Sequence, residues 1–398
     1  MPSFHRTGGP VPFHDPPRLP RGFRCASRHI GLKPAAKDLA LFVSEVDAAA
    51  AALFTRNQFP GAPVILGRET IRAGRLRAIA VNSKVSNVAT GDAGVANARR
   101  MAAAAAREAG TTADRVLVSS TGVIGVPLPI EVIELGIQGM SDDLQDDPRV
   151  GAEGMMTTDT FPKALSMGVG QATITWIAKG SGMIAPNMAT MLVYIFTDAA
   201  VDAPALDGML RSAAHVSFNM LSVDTDMSTS DTCAILANGL AGPVDAPAFS
   251  AALTRGCIRM TEMLARDGEG ATRLLRATVR GAATEGDARL VARSLVNSPL
   301  IKTMVHGADP NVGRILMAVG KCTDVTLAPA RTSAFVNGLE VVRHGARVDF
   351  DEGVARSTLS ASAVDLVVEL GVGLASATAY GCDLSHGYVD ENAAYYSS

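Results

Sequence analysis

The sequence predicts an α/β or α+β protein whose central sheets are covered by helices. Three observations carry that expectation. Short apolar, β-branched runs of strand length recur along the 398 residues. Between them lie longer Ala-rich or amphipathic stretches of helix length. Glycine or proline marks many of the junctions.

Taken in order, Asp38–Asp47 (DLALFVSEVD) and Leu76–Val81 (LRAIAV) are expected as buried strands. Ala93–Gly110 is an Ala-rich helix closed by Gly110. Arg115–Ser119 is a strand entering the turn Ser120-Thr121-Gly122. Pro129–Gly136 suggests a helix with Pro129 at its first position, where a missing N–H costs nothing. Thr173–Ala178 and Met191–Thr197 are strands, and Pro204–Phe218 and Pro247–Arg266 are amphipathic helices. Leu275–Gly281, Ala363–Gly371 and Leu374–Gly381 complete the expected strands.

This length suggests two domains or one large one. Residues 1–19 form a proline-rich flexible extension, 20–200 an N-terminal domain and 201–398 a C-terminal region, with a boundary near Thr197–Asp207. Hydrophobic residues are 47% and charged residues 19%, below the roughly 25% of an average soluble protein. Disorder of the bulk is excluded. A net charge of −3 gives no nucleic-acid footprint. The first 20 residues lack an apolar h-region, so no signal peptide is expected. The five cysteines have no CxxC spacing, which speaks against a disulfide framework or zinc and for reduced thiols in a cytoplasmic protein. No metal site is expected, and His5, His14, His215 and His344 carry no assignment.

The longest uncharged run, Gly180 to Thr197, has 18 residues. Its first half holds Gly180, Gly182, Pro186 and Asn187, a poor spanning helix, so no membrane segment is expected. Within it, a Gly- and Pro-containing loop leads to Thr190 at the mouth of an apolar strand. Such a layout suits a nucleophile released by self-cleavage, because an N-terminal Thr carries both a hydroxyl and its own α-amine as base. It also suits a plain loop-to-strand junction, which pattern alone strongly favours. His306 and Asp309 in HGADPN allow a triad on paper, but a loop-buttressing histidine is the simpler assignment.

Several blocks occur in a shared order from about Pro20 to Ser398. They are Ser120-Thr121-Gly122-Val123-Ile124-Gly125, Met156-Thr157-Thr158-Asp159-Thr160 with Pro162-Lys163, and Lys179 to Leu192. Next come Ser217-Phe218-Asn219, Ser222-Val223-Asp224-Thr225-Asp226 and Asp267-Gly268-Glu269-Gly270-Ala271-Thr272. Val296–Leu300, His306–Asn311 and Ala379–Leu384 close the series. In these blocks the chain resembles the ornithine acetyltransferase family, also called glutamate N-acetyltransferase. That resemblance implies a layered α-β-β-α-like sandwich with a smaller C-terminal α/β domain.

It also implies a precursor that cuts itself between Ala189 and Thr190, into chains 1–189 and 190–398. Thr190 then carries acetyl from N-acetylornithine to glutamate. Thr121 and Gly122 are the implied oxyanion donors. Thr157, Lys179, Thr190, Glu269, Asn392 and Ser397 are the implied substrate contacts, with Tyr388, Tyr395 and Tyr396 available to anchor the C-terminus. No cofactor is implied, although acetyl-CoA is an alternative acetyl donor. The resemblance implies a heterotetramer of two α and two β chains. Rival readings are a self-cleaving amidase or aminopeptidase, an acyltransferase of secondary metabolism with another donor and acceptor, and a non-catalytic scaffold. The chain departs from the family at Lys84 and Val85, in a run usually like NSGNAN, at Val312 and at Glu391. The Asn87-Val88-Ala89-Thr90-Gly91 ending resembles members from antibiotic clusters such as that of clavulanic acid.

Overall fold

In the computed structural model, which describes residues 11–185 and 191–393, the apolar runs assemble into two sheets. The first contains β1 (Phe23–Arg28), β2 (Leu39–Phe54), β3 (Arg75–Asn82), β4 (Val116–Ser120), β5 (Lys163–Val169), β6 (Ala172–Lys179) and β7 (Leu192–Ala200). After the short β8 (Leu221–Ser222), the chain returns to it as β9 (Thr232–Pro243). The order is β4-β3-β2-β9-β7-β6-β5, with β1 also paired to β2.

β2 is the hinge of this sheet. Its first residues pair with β1 and β3, Ala49 to Phe54 pair with β9, and the register shifts between Val43 and Ala48. Phe23 of β1 and Phe42 of β2 meet Phe196 of β7 at ring separations of 5.1 and 5.4 Å. All eight residues of β6 are buried, Thr173, Thr175 and Lys179 among them.

The second sheet adds β10 (Leu274–Ala282), β11 (Ser333–Val336), β12 (Leu339–Arg343), β13 (Ala346–Arg347), β14 (Ala363–Glu369) and β15 (Ala375–Cys382). Its order is β13-β12-β11-β14-β10-β15-β8. The fold class is therefore α/β, as the sequence predicts. The stretch 197–207 is the end of β7 and the start of a helix, joined by Val201 and Asp202.

Helices α1 (Ala62–Thr70), α2 (Gly91–Glu108) and α3 (Ile130–Ile137) pack together beside β4, and α4 (Pro148–Met155) lies on β1, β2 and β6. Pro129 is the N-cap of α3 rather than its first helical residue. Helix α5 (Ala203–Val216) packs on β2 and on α6 (Ala246–Arg266). Asp245 caps α6 by accepting the Ala248 N–H at 2.9 Å. Helix α6 touches both β5 and β6 of one sheet and β10 and β15 of the other. One core cluster accordingly runs from Trp176 through Phe249 and Met260 to Leu275. Helices α7 (Glu285–Asn297), α8 (Pro299–His306) and α9 (Gly313–Gly320) pack together, with α7 on β10 and β15. Helices α10 (Glu352–Leu359) and α11 (His386–Ala393) complete the described chain. Val312, where the family favours Trp, is 2% exposed in the core beside α9.

A buried ion cluster joins the two halves. Lys163, the first residue of β5, is fully buried and donates to Asp159 at 2.6 Å and also to Asp267, which follows α6. Asp159 accepts the Gly180 N–H at 2.7 Å and the Thr157 N–H at 2.9 Å as well. Asp267 takes the N–H and hydroxyl of Thr160. Burial pushes the Asp159 carboxyl up, but the Lys163 and Lys179 charges and the Gly180 N–H outweigh it and hold it at about 2.

Three stability measurements test this packing. A Cβ on Gly256 of α6 would overlap the Trp176 ring, so Gly256→Ala should cost about 1–3 kcal/mol in denaturant unfolding. Lys163→Met leaves two buried carboxylates unpaired and should cost about 3–5 kcal/mol. Folding depresses the Asp159 pKa, so its ionised form stabilises the fold above the ordinary value of 3.8. That contribution fades as pH falls towards about 2, and wild type should lose more stability across this window than Asp159→Asn.

Candidate active site

Three loops converge where the ends of β4 and β6 meet the end of α6. They line an open cavity. Thr121, Gly122, Thr157, Lys179, Glu269 and Asn392 all line it, together with Thr158, Gly182 and Ser228 to Ser230.

The first loop follows β4. Ser120 donates its hydroxyl to Asn82 Oδ1 at 2.6 Å, and the Thr121 N–H reaches the Asn82 carbonyl at 3.1 Å. The Val123 N–H donates to the Lys84 carbonyl at 2.9 Å. Gly122 sits at φ 127, and a Cβ there would overlap the Lys84 backbone, so glycine is required. The loop 82–88 thus presses on the turn that presents Thr121 and Gly122.

Lys179 ends β6, is 8% exposed, and donates from Nζ to Thr121 Oγ1 at 3.3 Å. Burial lowers its pKa and Lys163 adds to this, while Asp159, Asp231 and Glu269 oppose it. A hydroxyl that accepts from Lys179 keeps its own O–H to donate elsewhere.

Glu269 belongs to the loop after α6. Its carboxylate accepts the Thr158 hydroxyl at 2.7 Å and the Asn392 amide at 2.8 Å. Its N–H donates to the Ser181 carbonyl at 2.9 Å. Gly182 lies against this carboxylate, and a Cβ there would overlap it. Asn392 is on α11, which the Ser385 hydroxyl ties to the Gly270 carbonyl at 2.5 Å. This is how a residue so near the chain end is held in the site.

The described residues on either side of 186–190 are held by hydrogen bonds. Before it, Asp224 accepts the N–H groups of Met183 and Ile184 at 2.6 and 2.8 Å. After it, the Met191 carbonyl accepts the Thr232 N–H at 3.0 Å. Ala189, Thr190 and Ser397 lie outside the described residues, as do Tyr395 and Tyr396.

His306 pairs through Nδ1 with Asp383 at 2.8 Å, not with Asp309. Asp383 also accepts the Thr272 N–H and hydroxyl, so the pair buttresses the end of the Glu269 loop. Among the described residues no cluster of His, Cys, Asp or Glu could hold a metal ion. Sequence reasoning left Thr158, Ser181 and the Lys163 cluster without roles. Thr158, Asp159 and Lys163 do fall in one motif block, which was the available signal.

The ArgJ family matches residues 24–397. The arginine biosynthesis bifunctional protein ArgJ of Rhodococcoides fascians is 41% identical over 379 residues, 94% of each chain. The glutamate N-acetyltransferase Oat2 of Streptomyces clavuligerus is 40% identical over 95% of this chain and 98% of its own. A crystal structure of arginine biosynthesis bifunctional protein ArgJ from Bacillus halodurans is 35% identical, with a TM-score of 0.50, and covers 52% of this chain and 100% of its own. The chain belongs to the ArgJ family, the same family that its ornithine acetyltransferase motifs indicate.

Proposed function

We propose that the protein transfers acetyl from N2-acetylornithine to glutamate through an acetyl-Thr190 intermediate, after cutting itself between Ala189 and Thr190. The observation that carries this reading is convergence. All six of the expected site residues within the described chain line one cavity, although they come from five separate segments. The name of the Streptomyces clavuligerus relative supports the acceptor. That the whole Bacillus halodurans chain matches only 52% of this one supports division near the middle, since residues 190–398 are 209 of 398.

In the proposed maturation, Thr190 Oγ attacks the Ala189 carbonyl carbon and the C–N bond to Thr190 breaks. Water then hydrolyses the ester, leaving an Ala189 carboxylate and a free Thr190 α-amine. In turnover, Thr190 Oγ attacks the acetyl carbon of N-acetylornithine, and the α-amine takes its proton. The oxyanion is met by the Thr121 hydroxyl, oriented by Lys179, and by the Gly122 N–H. The proton passes to the departing ornithine amine. The α-amine of glutamate then attacks the ester, forming N-acetylglutamate and restoring Thr190.

Lys179 suits a substrate α-carboxylate and Glu269 suits the side-chain ammonium of ornithine. This chemistry draws on no cofactor, and acetyl-CoA is a second donor to be assayed. The processed chains are expected to associate as α2β2 and to act on soluble amino acids in the cytoplasm. No described helix is long and apolar enough to cross a membrane.

Purified protein should run on a denaturing gel as two bands and Thr190→Ala as one, and a lasting full-length wild-type band would sink the maturation step. Acetylornithine plus glutamate should yield N-acetylglutamate; acetate released regardless of acceptor would point to a hydrolase instead. Glu269→Gln should raise KM for acetylornithine roughly 10- to 100-fold, the worth of a charged hydrogen bond. Unchanged kinetics in that variant would remove Glu269 from substrate contact.

A further inference from the structure

Glu269 is 8% exposed, and the side-chain partners of its carboxylate among the described residues are a hydroxyl and an amide, neither of them charged. An anion so far out of water is poorly compensated without a cation beside it. A carboxylate offers about four lone-pair sites. Thr158 takes one on Oε1 and Asn392 takes one on Oε2, which leaves sites for a donor entering the cavity that Glu269 lines.

Thr158 is held as closely as the residue it holds. Its Oγ1 stands 2.7 Å from Glu269 Oε1 and 2.5 Å from Ser181 Oγ. A carboxylate only accepts, so the one Thr158 hydroxyl proton goes to Glu269 and the Ser181 hydroxyl donates to Thr158. Ser181 is fully buried and holds the Glu269 main chain as well, its carbonyl accepting the Glu269 N–H at 2.9 Å. The result is a hydroxyl relay from Ser181 through Thr158 to Glu269, in which each bond polarises the next.

The backbone under the relay is pinned by the Lys163 cluster. Asp159 accepts the N–H of Thr157 at 2.9 Å and of Gly180 at 2.7 Å, and Asp267 accepts that of Thr160 at 3.1 Å. Thr158 and Ser181 are each next in sequence to one of these anchored residues, and Glu269 follows Asp267 by two. Thr158 lines both the site cavity and a neighbouring one, so its side chain stands in the wall beside any ligand that reaches Glu269. A carboxylate ordered in advance loses less freedom when a ligand arrives.

We propose that Thr158, itself held by Ser181, is a positioning residue that fixes the Glu269 carboxylate for the side-chain ammonium of the acetyl donor, and so selects donors that carry a cation over those that do not. This rests on the acetyl-transfer reading and on Glu269 meeting that ammonium.

The test compares N2-acetylornithine with N2-acetylnorvaline, which keeps the carbon chain and lacks the amine. For processed wild type, Thr158→Val, Thr158→Ser and Glu269→Gln, kcat/KM is measured with each donor and glutamate as acceptor. The ratio of the two values cancels any general loss of activity. Wild type and Thr158→Ser should prefer acetylornithine, and the preference should fall roughly tenfold in Thr158→Val, with the loss in KM rather than kcat. Thr158→Val leaves the buried Ser181 hydroxyl unpartnered, so the double variant with Ser181→Ala, which removes both hydroxyls, carries the same expectation should the single one fail to fold. A ratio unchanged in Thr158→Val but lowered in Glu269→Gln overturns the proposal and leaves the Glu269 contact standing. A ratio unchanged in both removes Glu269 from the ammonium and the proposal with it. If no acetyl transfer occurs with any donor, the transfer reading fails, and calorimetric titration with ornithine and with norvaline decides the relay. An ornithine preference lost in Thr158→Val and kept in Thr158→Ser upholds it, and a preference kept in Thr158→Val, or equal binding by wild type, overturns it.

Discussion

The fully buried ammonium of Lys163 is the point on which the site depends. It lies between Asp159 and Asp267, and through them it fixes three chain segments at once. Asp159 sets Thr157 and Gly180, and Asp267 begins the loop that ends in Glu269. Taking such charges out of water is costly unless each is paired and its remaining lone pairs are filled. Here backbone N–H groups fill them, so the cluster tolerates little displacement of any loop. What it contributes is position more than net stability.

Around that cluster the site separates its charges. Lys179 faces Thr121 and Glu269 faces Thr158 and Asn392, so a cation and an anion are presented to the same cavity without neutralising each other directly. A zwitterionic substrate can then be held at both ends. The glycines work in the opposite sense: Gly122 and Gly182 allow the backbone to lie against Lys84 and Glu269, where any Cβ would displace them.

Much of the architecture was legible because burial leaves a pattern. β6 and β7 are buried along nearly their whole length, so they appear as apolar runs bounded by glycine and polar residues. Helix α6 carries its Asp245 cap and amphipathic face openly. β9 was not legible, since TCAILANGLAGP is interrupted by Gly239 and Gly242, both at positive φ. Its place between β2 and β7 comes from pairing with strands far away in sequence. Helices α7 to α9 were likewise missed: α8 and α9 are only eight residues long, and the apolar face of α7 is completed by β10 and β15.

The sequence alone determined which residue types were available for chemistry. The motif blocks around Thr121, Thr157, Lys179 and Glu269 can be picked out without coordinates only together, because their shared order resembles a known family. Tertiary structure decided which of these meet. Lys163 reaches Asp267 across 104 residues, and His306 chooses Asp383, 77 residues away, over the nearby Asp309. No local pattern encodes such choices, since they depend on how α6 packs on both sheets and on how α8 is held to the end of β15 by Lys302 donating to the Cys382 carbonyl. The positive φ of Lys84 belongs to the same class: the residue is visible in the sequence, but only the fold shows that its backbone braces Gly122 while its side chain lines a neighbouring cavity.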